Sequence, residues 1–323
     1  MVELFEQDER QNNRQSSKGN QLKWNNNGIW YKADYTGYEG LAEYMISHLL
    51  LKSSLRQDEF VLYEPEQIRY KDAVYSGVKS NDFLEKDWQL ITLERLFMTF
   101  FGQSLYQSIF KISDPEKRLI FLVEQVERVT NLSDFGVYMN KLFTMDAFFL
   151  NEDRHTHNIA ILMNKDGRFS YSPIFDNGAG LLADTSLDYP LGKDVYLQIK
   201  EVRAKTISAD FDEQLDLSEK LYGNHLKFHF HTKDVSDLLD GISIYSQEEK
   251  DRVRDILLSQ MMRNSRYYNK IIAAASRTED VTSDSHIVVY KEDNLRICLL
   301  NPQHPVADAD MRLYVLLSVF PFF

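Results

Sequence analysis

Asp153 and Asn158 stand five residues apart in the polar run Asn151-Glu-Asp-Arg-His-Thr-His-Asn158, and a second carboxylate, Asp176, follows in Ile174-Phe-Asp-Asn-Gly178. This spacing suits phosphoryl transfer. An Asp can take the proton of an attacking hydroxyl, an Asn five residues on can hold magnesium, and an Asp on the next hairpin can hold magnesium against phosphates. Singly these residues say little, because Asp-Asn-Gly is a good turn sequence and an Asp-Arg pair is ordinarily a surface ion pair.

The flanking elements raise the weight of the pattern. Leu142 to Leu150 is an apolar, aromatic-rich run with helical character that ends at the polar loop 151–158. Ile159-Ala-Ile-Leu-Met163 then reads as a buried strand, Asn164-Lys-Asp-Gly167 as a hairpin turn, and Phe169 to Phe175 as the strand that returns to Asp176. Helix, loop, hairpin and metal-binding Asp follow in the order a kinase uses, so the motif has the context it requires.

A kinase also needs a cation on the phosphates and a carboxylate to position it. Lys32 lies in the run Ile29-Trp-Tyr-Lys-Ala33, and Glu43 sits on the next helix at the border of its apolar stripe. Taken alone, Lys32 would be an edge-strand lysine that favours solubility and Glu43 a solvated helix position. Glu39 is a rival for the pairing role, but an acid in a first helical turn is already expected from the helix dipole. Upstream, Arg14-Gln-Ser-Ser-Lys-Gly-Asn20 occupies the place of a phosphate-covering loop without the Gly-x-Gly-x-x-Gly pattern. Its backbone amides and the hydroxyls of Ser16 and Ser17 can cradle phosphate, Lys18 adds charge and Gly19 permits close approach. A polar flexible loop is the equal alternative.

The remaining chain supplies two lobes for such a site. Residues 1 to 80 are expected to be mostly β: Gln21 to Trp24 and Ile29 to Ala33 flank Asn25-Asn-Asn-Gly28, a strong hairpin signal, and Phe60-Val-Leu-Tyr63 and Asp72-Ala-Val-Tyr75 are expected as further strands. Between them Leu41, Ala42, Met45, Ile46, Leu49 and Leu50 make one stripe of a helix over about 39–52. From about Ser80 the pattern becomes helical, over Ile91 to Phe110, Asp114 to Thr130 and Leu132 to Leu150. A last long helix starts after Ser246, which forms a capping box with Glu249, and runs to about Ala275. The lobes are expected at 1–79 and 80–275, with the boundary near Ser76 to Ser80. Residues 276–323 form a tail with strand-like runs at Ile287 to Tyr290 and Leu295 to Leu300, and no role is assigned to it.

Composition narrows the classes. A chain of 323 residues is long enough for a two-lobed enzyme, and the formal net charge of -12 argues against direct nucleic-acid binding, which needs clustered Lys and Arg. Cys298 is the one cysteine, so neither an intramolecular disulfide nor a cysteine-based zinc site is expected, and a reducing, cytoplasmic setting fits. The polar, acidic start, Met1 to Arg14, is unlike a signal peptide, and no apolar run is long enough to span a bilayer; secretion without a cleaved leader stays compatible. His155 and His157 flank the loop, and His225, His229 and His231 form a second group. Closed zinc sites need four ligands with short-spaced pairs, so His155 is read as a brace of the loop and the later group as polar surface or interface sequence.

Together these segments resemble the HipA-like serine/threonine kinases. Asp153-Arg-His-x-x-Asn158 is that family's form of the catalytic loop, Ser16-Ser-Lys-Gly-Asn-Gln21 is similar to its serine-bearing phosphate loop, Trp30-Tyr-Lys32 to its nucleotide-lysine strand, and Glu43-Tyr44 to the start of its pairing helix. The resemblance covers roughly residues 14–275. It implies an α+β, two-lobed protein-kinase-like fold of HipA type, with a small β-rich N-lobe and a mainly helical C-lobe. It implies ATP and magnesium as cofactors, Asp153 as base, Asn158 and Asp176 as magnesium ligands, and autophosphorylation on Ser16 or Ser17. The partners it implies are a protein substrate bearing a Ser or Thr hydroxyl and an antitoxin or regulator. Full-length members carry an extra N-terminal subdomain, and here the phosphate loop begins within the first twenty residues, as in the compact branch of toxins and effectors. Asn177 stands where eukaryotic kinases have the Phe of Asp-Phe-Gly, so their Phe packing switch is not expected. Phosphoinositide kinases share an Asp-Arg-His-x-x-Asn loop, which leaves a lipid or small-molecule kinase as an alternative, though basic and membrane-seeking segments are missing. A pseudokinase binding module is the other alternative. Such a scaffold has no chemical need for Lys32, Asp153, Asn158 and Asp176 together.

Overall fold

A computed structural model describes residues 1–10 and 21–264, and the backbone of two strands, Ile287–Glu292 and Leu295–Leu300. Residues Met1–Tyr267 form one compact unit and Tyr268–Phe323 a second. In the first, strands β1 (Val2–Leu4), β2 (Lys23–Asn26), β3 (Ile29–Ala33), β4 (Glu64–Tyr70) and β5 (Ala73–Asn81) make a five-stranded sheet in the order β1-β4-β5-β3-β2. The turn between β2 and β3 places both Asn27 (φ 52°) and Gly28 (φ 78°) in the left-handed region. A two-residue hairpin of this kind favours Asn-Gly there, because its twist matches that of the strands. Alternation along β2 and β3 sends Trp24, Tyr31 and Ala33 into a core with Leu4, Ile68 and Tyr70, and it sends Lys23 and Lys32, which face each other across the two strands, to the opposite side.

Helix α1 (Glu39–Leu50) packs against β4 and β5. Its N-terminus is satisfied from outside the usual cap position. Asp34 Oδ1 accepts the Gly40 amide at 2.5 Å, and the Glu39 carboxylate accepts the amides of Tyr35, Thr36 and Gly37. Glu39, the rival for pairing with Lys32, is therefore occupied at the start of its own helix.

Strand β5 continues through Asn81, and the chain enters a second sheet of three antiparallel strands, β6 (Trp88–Thr92), β7 (Ala160–Asn164) and β8 (Phe169–Tyr171). The remaining helices are α2 (Leu93–Phe101), α3 (Leu105–Phe110), α4 (Pro115–Thr130), α5 (Phe135–Phe149), α6 (Val195–Glu201), α7 (Phe211–Tyr222), α8 (Thr232–Asp240) and α9 (Gln247–Arg263). α5 is buried along most of its length, between α4, α7 and α9. At its end Phe148 and Phe149 meet Phe228 and Phe230, the closest pair of rings being 4.6 Å apart.

Three sequence expectations are corrected. Phe60 to Tyr63 is not a strand of the sheet: it is an extended link, and Val61 N–H donates to Ile174 O at 2.9 Å. The strand instead begins at Glu64. Ile91 to Phe110 is not one helix, because Ile91 and Thr92 close β6, Gly102 ends α2 at φ 65° and Ser104 caps α3 anew. α5 starts at Phe135 rather than Leu132. α9 has the expected capping box between Ser246 and Glu249 and is described as far as Arg263; its expected continuation to about Ala275 lies outside the described residues. In the second unit, β9 (Ile287–Glu292) and β10 (Leu295–Leu300) form an antiparallel pair. Among the described residues no helix is long and apolar enough to cross a membrane.

Candidate active site

Two lysines directly opposite each other on neighbouring strands repel, so the face of β2 and β3 that carries Lys23 and Lys32 needs anions. Asp176 and Glu43 provide them. Lys32 Nζ donates to Glu43 Oε1 at 2.6 Å and to Asp176 Oδ1 at 2.8 Å, and Lys23 Nζ lies 3.7 Å from the same Asp176 oxygen. β3 is an interior strand, so Lys32 is no edge lysine, and Glu43 is 1 % exposed rather than solvated. β5 approaches the backbone of β3 closely here: a Cβ on Gly77 would stand 2.1 Å from the Lys32 carbonyl. Burial opposes the charge on Lys32, but Asp176 and Glu43 outweigh it and hold its pKa well above the ordinary lysine value. Burial would likewise raise Asp176; Lys23 and Lys32 overcome this and hold its carboxyl below the usual range.

Tyr63, at the end of the extended link, completes this side. Its hydroxyl accepts from Lys32 Nζ at 3.3 Å and from the Asp176 amide at 3.5 Å, and the ammonium lies 4.9 Å from the ring centroid. Ser47, one turn after Glu43 on α1, accepts the Tyr63 amide and fixes its approach.

The loop after α5 begins at a conformational cost, with Leu150 at φ 55°. Arg154 organises the rest of the loop. It is 2 % exposed and pairs with Asp146, an acid on the buried last turn of α5, Nε to Oδ2 being 3.0 Å. Its Nη1 donates to the carbonyls of Asn158 (3.2 Å) and Phe175 (2.9 Å), and its Nη2 donates to Asn177 Oδ1 at 2.6 Å. One guanidinium thus ties α5, the loop and the segment of Asp176 together, far from the surface pair an Asp-Arg sequence suggests. Asn158 Nδ2 reaches back to Asp153, 2.9 Å from its carbonyl and 3.1 Å from Oδ2. From α2, buried Glu94 accepts the Thr156 hydroxyl at 2.9 Å, and Thr206 donates its hydroxyl to the Arg154 carbonyl. His155 Nδ1 accepts the His157 amide, which leaves Nε2, 3.6 Å from Asp153 Oδ1, as the nitrogen that carries the proton in the neutral ring. Burial lowers the His155 pKa against the pull of Asp153.

The sequence candidates divide accordingly. Lys32, Glu43 and Asp176 meet directly, Asp153 and Asn158 meet directly, and Arg154 joins the two sets through Asn158 and Phe175. Ser16, Ser17, Lys18 and Gly19 lie outside the described residues. Lys23, Tyr63, Asp146 and Asn177 belong to the same network and were not singled out from sequence as site residues. An acid inside the apolar run Thr144-Met-Asp-Ala-Phe-Phe149 was the one signal for Asp146, and a lysine facing Lys32 across a short hairpin was the signal for Lys23.

A magnesium ion fits this donor set. Among the described residues, Asp176 Oδ2 and Asn158 Oδ1 accept no protein hydrogen bond, and no group of three or more His, Cys, Asp or Glu side chains could hold a metal. Magnesium commonly takes one or two protein oxygens and completes its shell with substrate phosphates and water, so one carboxylate and one amide suffice.

The sheet, the helical remainder and the hairpin-borne loop make a two-lobed kinase-like fold. The chain is similar to the Helicobacter pylori proinflammatory kinase CtkA, at 15% identity over 81% of this chain and 95% of that one, with a TM-score of 0.54. It also matches HipA of Shewanella oneidensis MR-1, solved with HipB and operator DNA, at 10% identity over 74% of this chain and 58% of that one, with a TM-score of 0.44. No family model and no curated protein sequence matches.

Proposed function

We propose that the chain is an ATP- and magnesium-dependent serine/threonine protein kinase of HipA type, with residues 1–79 as nucleotide lobe and 80–275 as catalytic lobe. The observation that carries this reading is the Lys32 ammonium bridging Glu43 and Asp176 at 2.6 and 2.8 Å, one guanidinium away from the loop that bears Asp153. A cation fixed by a helix carboxylate beside a metal-binding acid serves to grip and orient nucleotide phosphates.

In the proposed reaction Lys32, steadied by Glu43 and Tyr63, holds the phosphate oxygens, with Lys23 as a second cation on the same face. Asp153 accepts the proton of a Ser or Thr hydroxyl whose oxygen bonds to the γ-phosphorus as the bridging oxygen leaves with ADP. Asn158 fixes the Asp153 carboxylate through its amide nitrogen and keeps its oxygen for magnesium, which it would share with Asp176. Magnesium bound there supplies neutralisation of the charge on the phosphate oxygens. Positioning and fixed charge do most of the work. Ser16 and Ser17 are the proposed autophosphorylation sites; a phosphate there adds about -1.5 to -2 charges beside the nucleotide. The proposed setting is cytoplasmic, with a protein substrate and an antitoxin or regulator as partners.

Purified protein is expected to consume ATP only with magnesium and to place phosphate on Ser or Thr of a protein acceptor, read by mass spectrometry. Asp153→Ala should cut transfer by about 10²- to 10⁴-fold while calorimetry shows undiminished binding of magnesium and ATP. An Asp153→Ala protein as active as the wild type would remove the proposed base.

A further inference from the structure

Asn177 touches both halves of the site. Its backbone amide donates to Glu43 Oε2 at 3.0 Å, while the other oxygen of that carboxylate holds Lys32. Its side-chain oxygen accepts from Arg154 Nη2 at 2.6 Å, the same guanidinium that grips Asp146 and the carbonyls of Asn158 and Phe175. The orientation of the amide is forced, because Arg154 has only donors to offer, so the oxygen must face it and the nitrogen must face away. That nitrogen is buried without a protein partner. Leaving a buried donor unsatisfied is costly, so the contribution of this amide lies in what its oxygen does. The side chain is 1 % exposed, and α1 presses on the residues after it: a Cβ on Gly178 would lie 3.2 Å from Glu39 Cβ.

We infer that Asn177 is the positioning residue that keeps the helix of Glu43 and the loop of Asp153 in register, doing with hydrogen bonds what an apolar side chain after the metal-binding Asp would do by packing. If the Asn177 oxygen no longer holds Arg154, the segment 175–178 keeps the Phe175 carbonyl and Asp176 contacts but loses the anchor nearest the Asn177 amide, so Glu43 receives a less fixed amide and Lys32 a less fixed carboxylate. The inference rests on the kinase reading for its catalytic consequence, but the mechanical coupling is independent of it.

The closing experiment has one arm without turnover and one with it. Asn177→Leu keeps the size of the side chain and removes the acceptor, whereas Asn177→Asp keeps an acceptor facing Arg154. Amide hydrogen exchange of the free full-length chain is expected to rise about tenfold over α1 and residues 174–180 in Asn177→Leu, the loss of one charge-assisted hydrogen bond, and to stay near wild type in Asn177→Asp. In the same pair the KM for ATP should rise about tenfold in Asn177→Leu and recover in Asn177→Asp. Wild-type exchange in Asn177→Leu, or an Asn177→Asp protein as impaired as Asn177→Leu, would overturn the inference. If Asn177→Leu loses protection in every segment, Asn177→Ser, too short to reach Arg154, is read by the same criteria. A wild-type chain that binds no ATP analogue with magnesium would sink the kinase reading instead, and the exchange arm would still decide the coupling.

Discussion

Lys23, Lys32, Glu43 and Asp176 come from separate segments and neutralise one another, whereas Asp153 and Asn158 share one loop whose own charge pair, Asp146 with Arg154, lies beneath them. On the lysine side, the groups proposed to meet nucleotide are also the groups that hold each other in place. Asp176 is part of that cluster yet keeps a side chain 26% exposed. On the loop side, the supporting charges and the proposed base are different residues, and the supporting pair is almost wholly buried. The loop side can thus lose its base and keep its shape, while the lysine side cannot lose its lysine without disturbing its acids. This is the division expected of a site proposed to bind a polyanion on one side and to present a base on the other.

The sharpest way to break the contrast is to remove the buried support. Arg154→Met leaves Asp146 buried without its partner, and a broken buried pair typically costs about 3–5 kcal/mol. Three other acceptors also lose their donor: Asn158 O, Phe175 O and Asn177 Oδ1. Denaturant titration should show the whole of that loss. A variant as stable as wild type would mean that the loop is held by something other than this guanidinium.

A smaller effect is expected from Lys32→Met. Glu43 keeps the Asn177 amide, and Asp176 keeps Lys23 and some access to water. The loss should be that of charged hydrogen bonds, about 1.5–3 kcal/mol, together with weaker binding of ATP in calorimetry. Hydrogen exchange over residues 151–158 should stay unchanged, because Lys32→Met leaves Arg154 and every acceptor it holds in place. A Lys32→Met protein that loses protection there would erase the distinction between the two sides.

How much of this could be seen from sequence depends on the range of the interactions. The Asn27-Gly28 turn, the stripe on α1, the β7–β8 turn with Gly167 at φ 78° and the Ser246 capping box are local devices, legible within a few residues. β4 was missed because Glu64-Pro-Glu-Gln-Ile-Arg-Tyr70 is polar and contains proline. β1 pairs only with Ile68 to Tyr70, so at Pro65 the strand has an open edge and needs no donor. Phe60 to Tyr63 has the composition of a strand, and Phe60, Val61 and Tyr63 are buried, but its backbone partner is Ile174, more than a hundred residues away, rather than a strand of the sheet. The spacing of Asp153, Asn158 and Asp176 was visible; Arg154, which unites them, looked like an ordinary surface residue because its partner Asp146 is hidden in an apolar helix.

The finest probe of the lysine side is Asp34, which joins the end of β3 to the start of α1 and so sets where Glu43 stands. Burial first, and then Glu39, push its carboxyl up to about 7, against the Gly40 amide it accepts; Tyr245 and Glu249 also face it. The native chain therefore holds a proton on Asp34 where the unfolded chain, titrating near 3.8, has released it. A group with a raised native pKa contributes its full stabilisation below the unfolded value and loses it as pH rises through the native one. Between pH 6 and 8 this amounts to about 1.4 kcal/mol of stability lost. Asp34→Asn keeps an oxygen for the Gly40 amide and cannot titrate, so its stability should fall less steeply across that window, the difference growing with pH. Denaturation midpoints of the two proteins at pH 6, 7 and 8 measure it. Parallel pH profiles would mean that Asp34 stays ionised beneath α1, and the lysine side would then carry one more negative charge than its geometry supports.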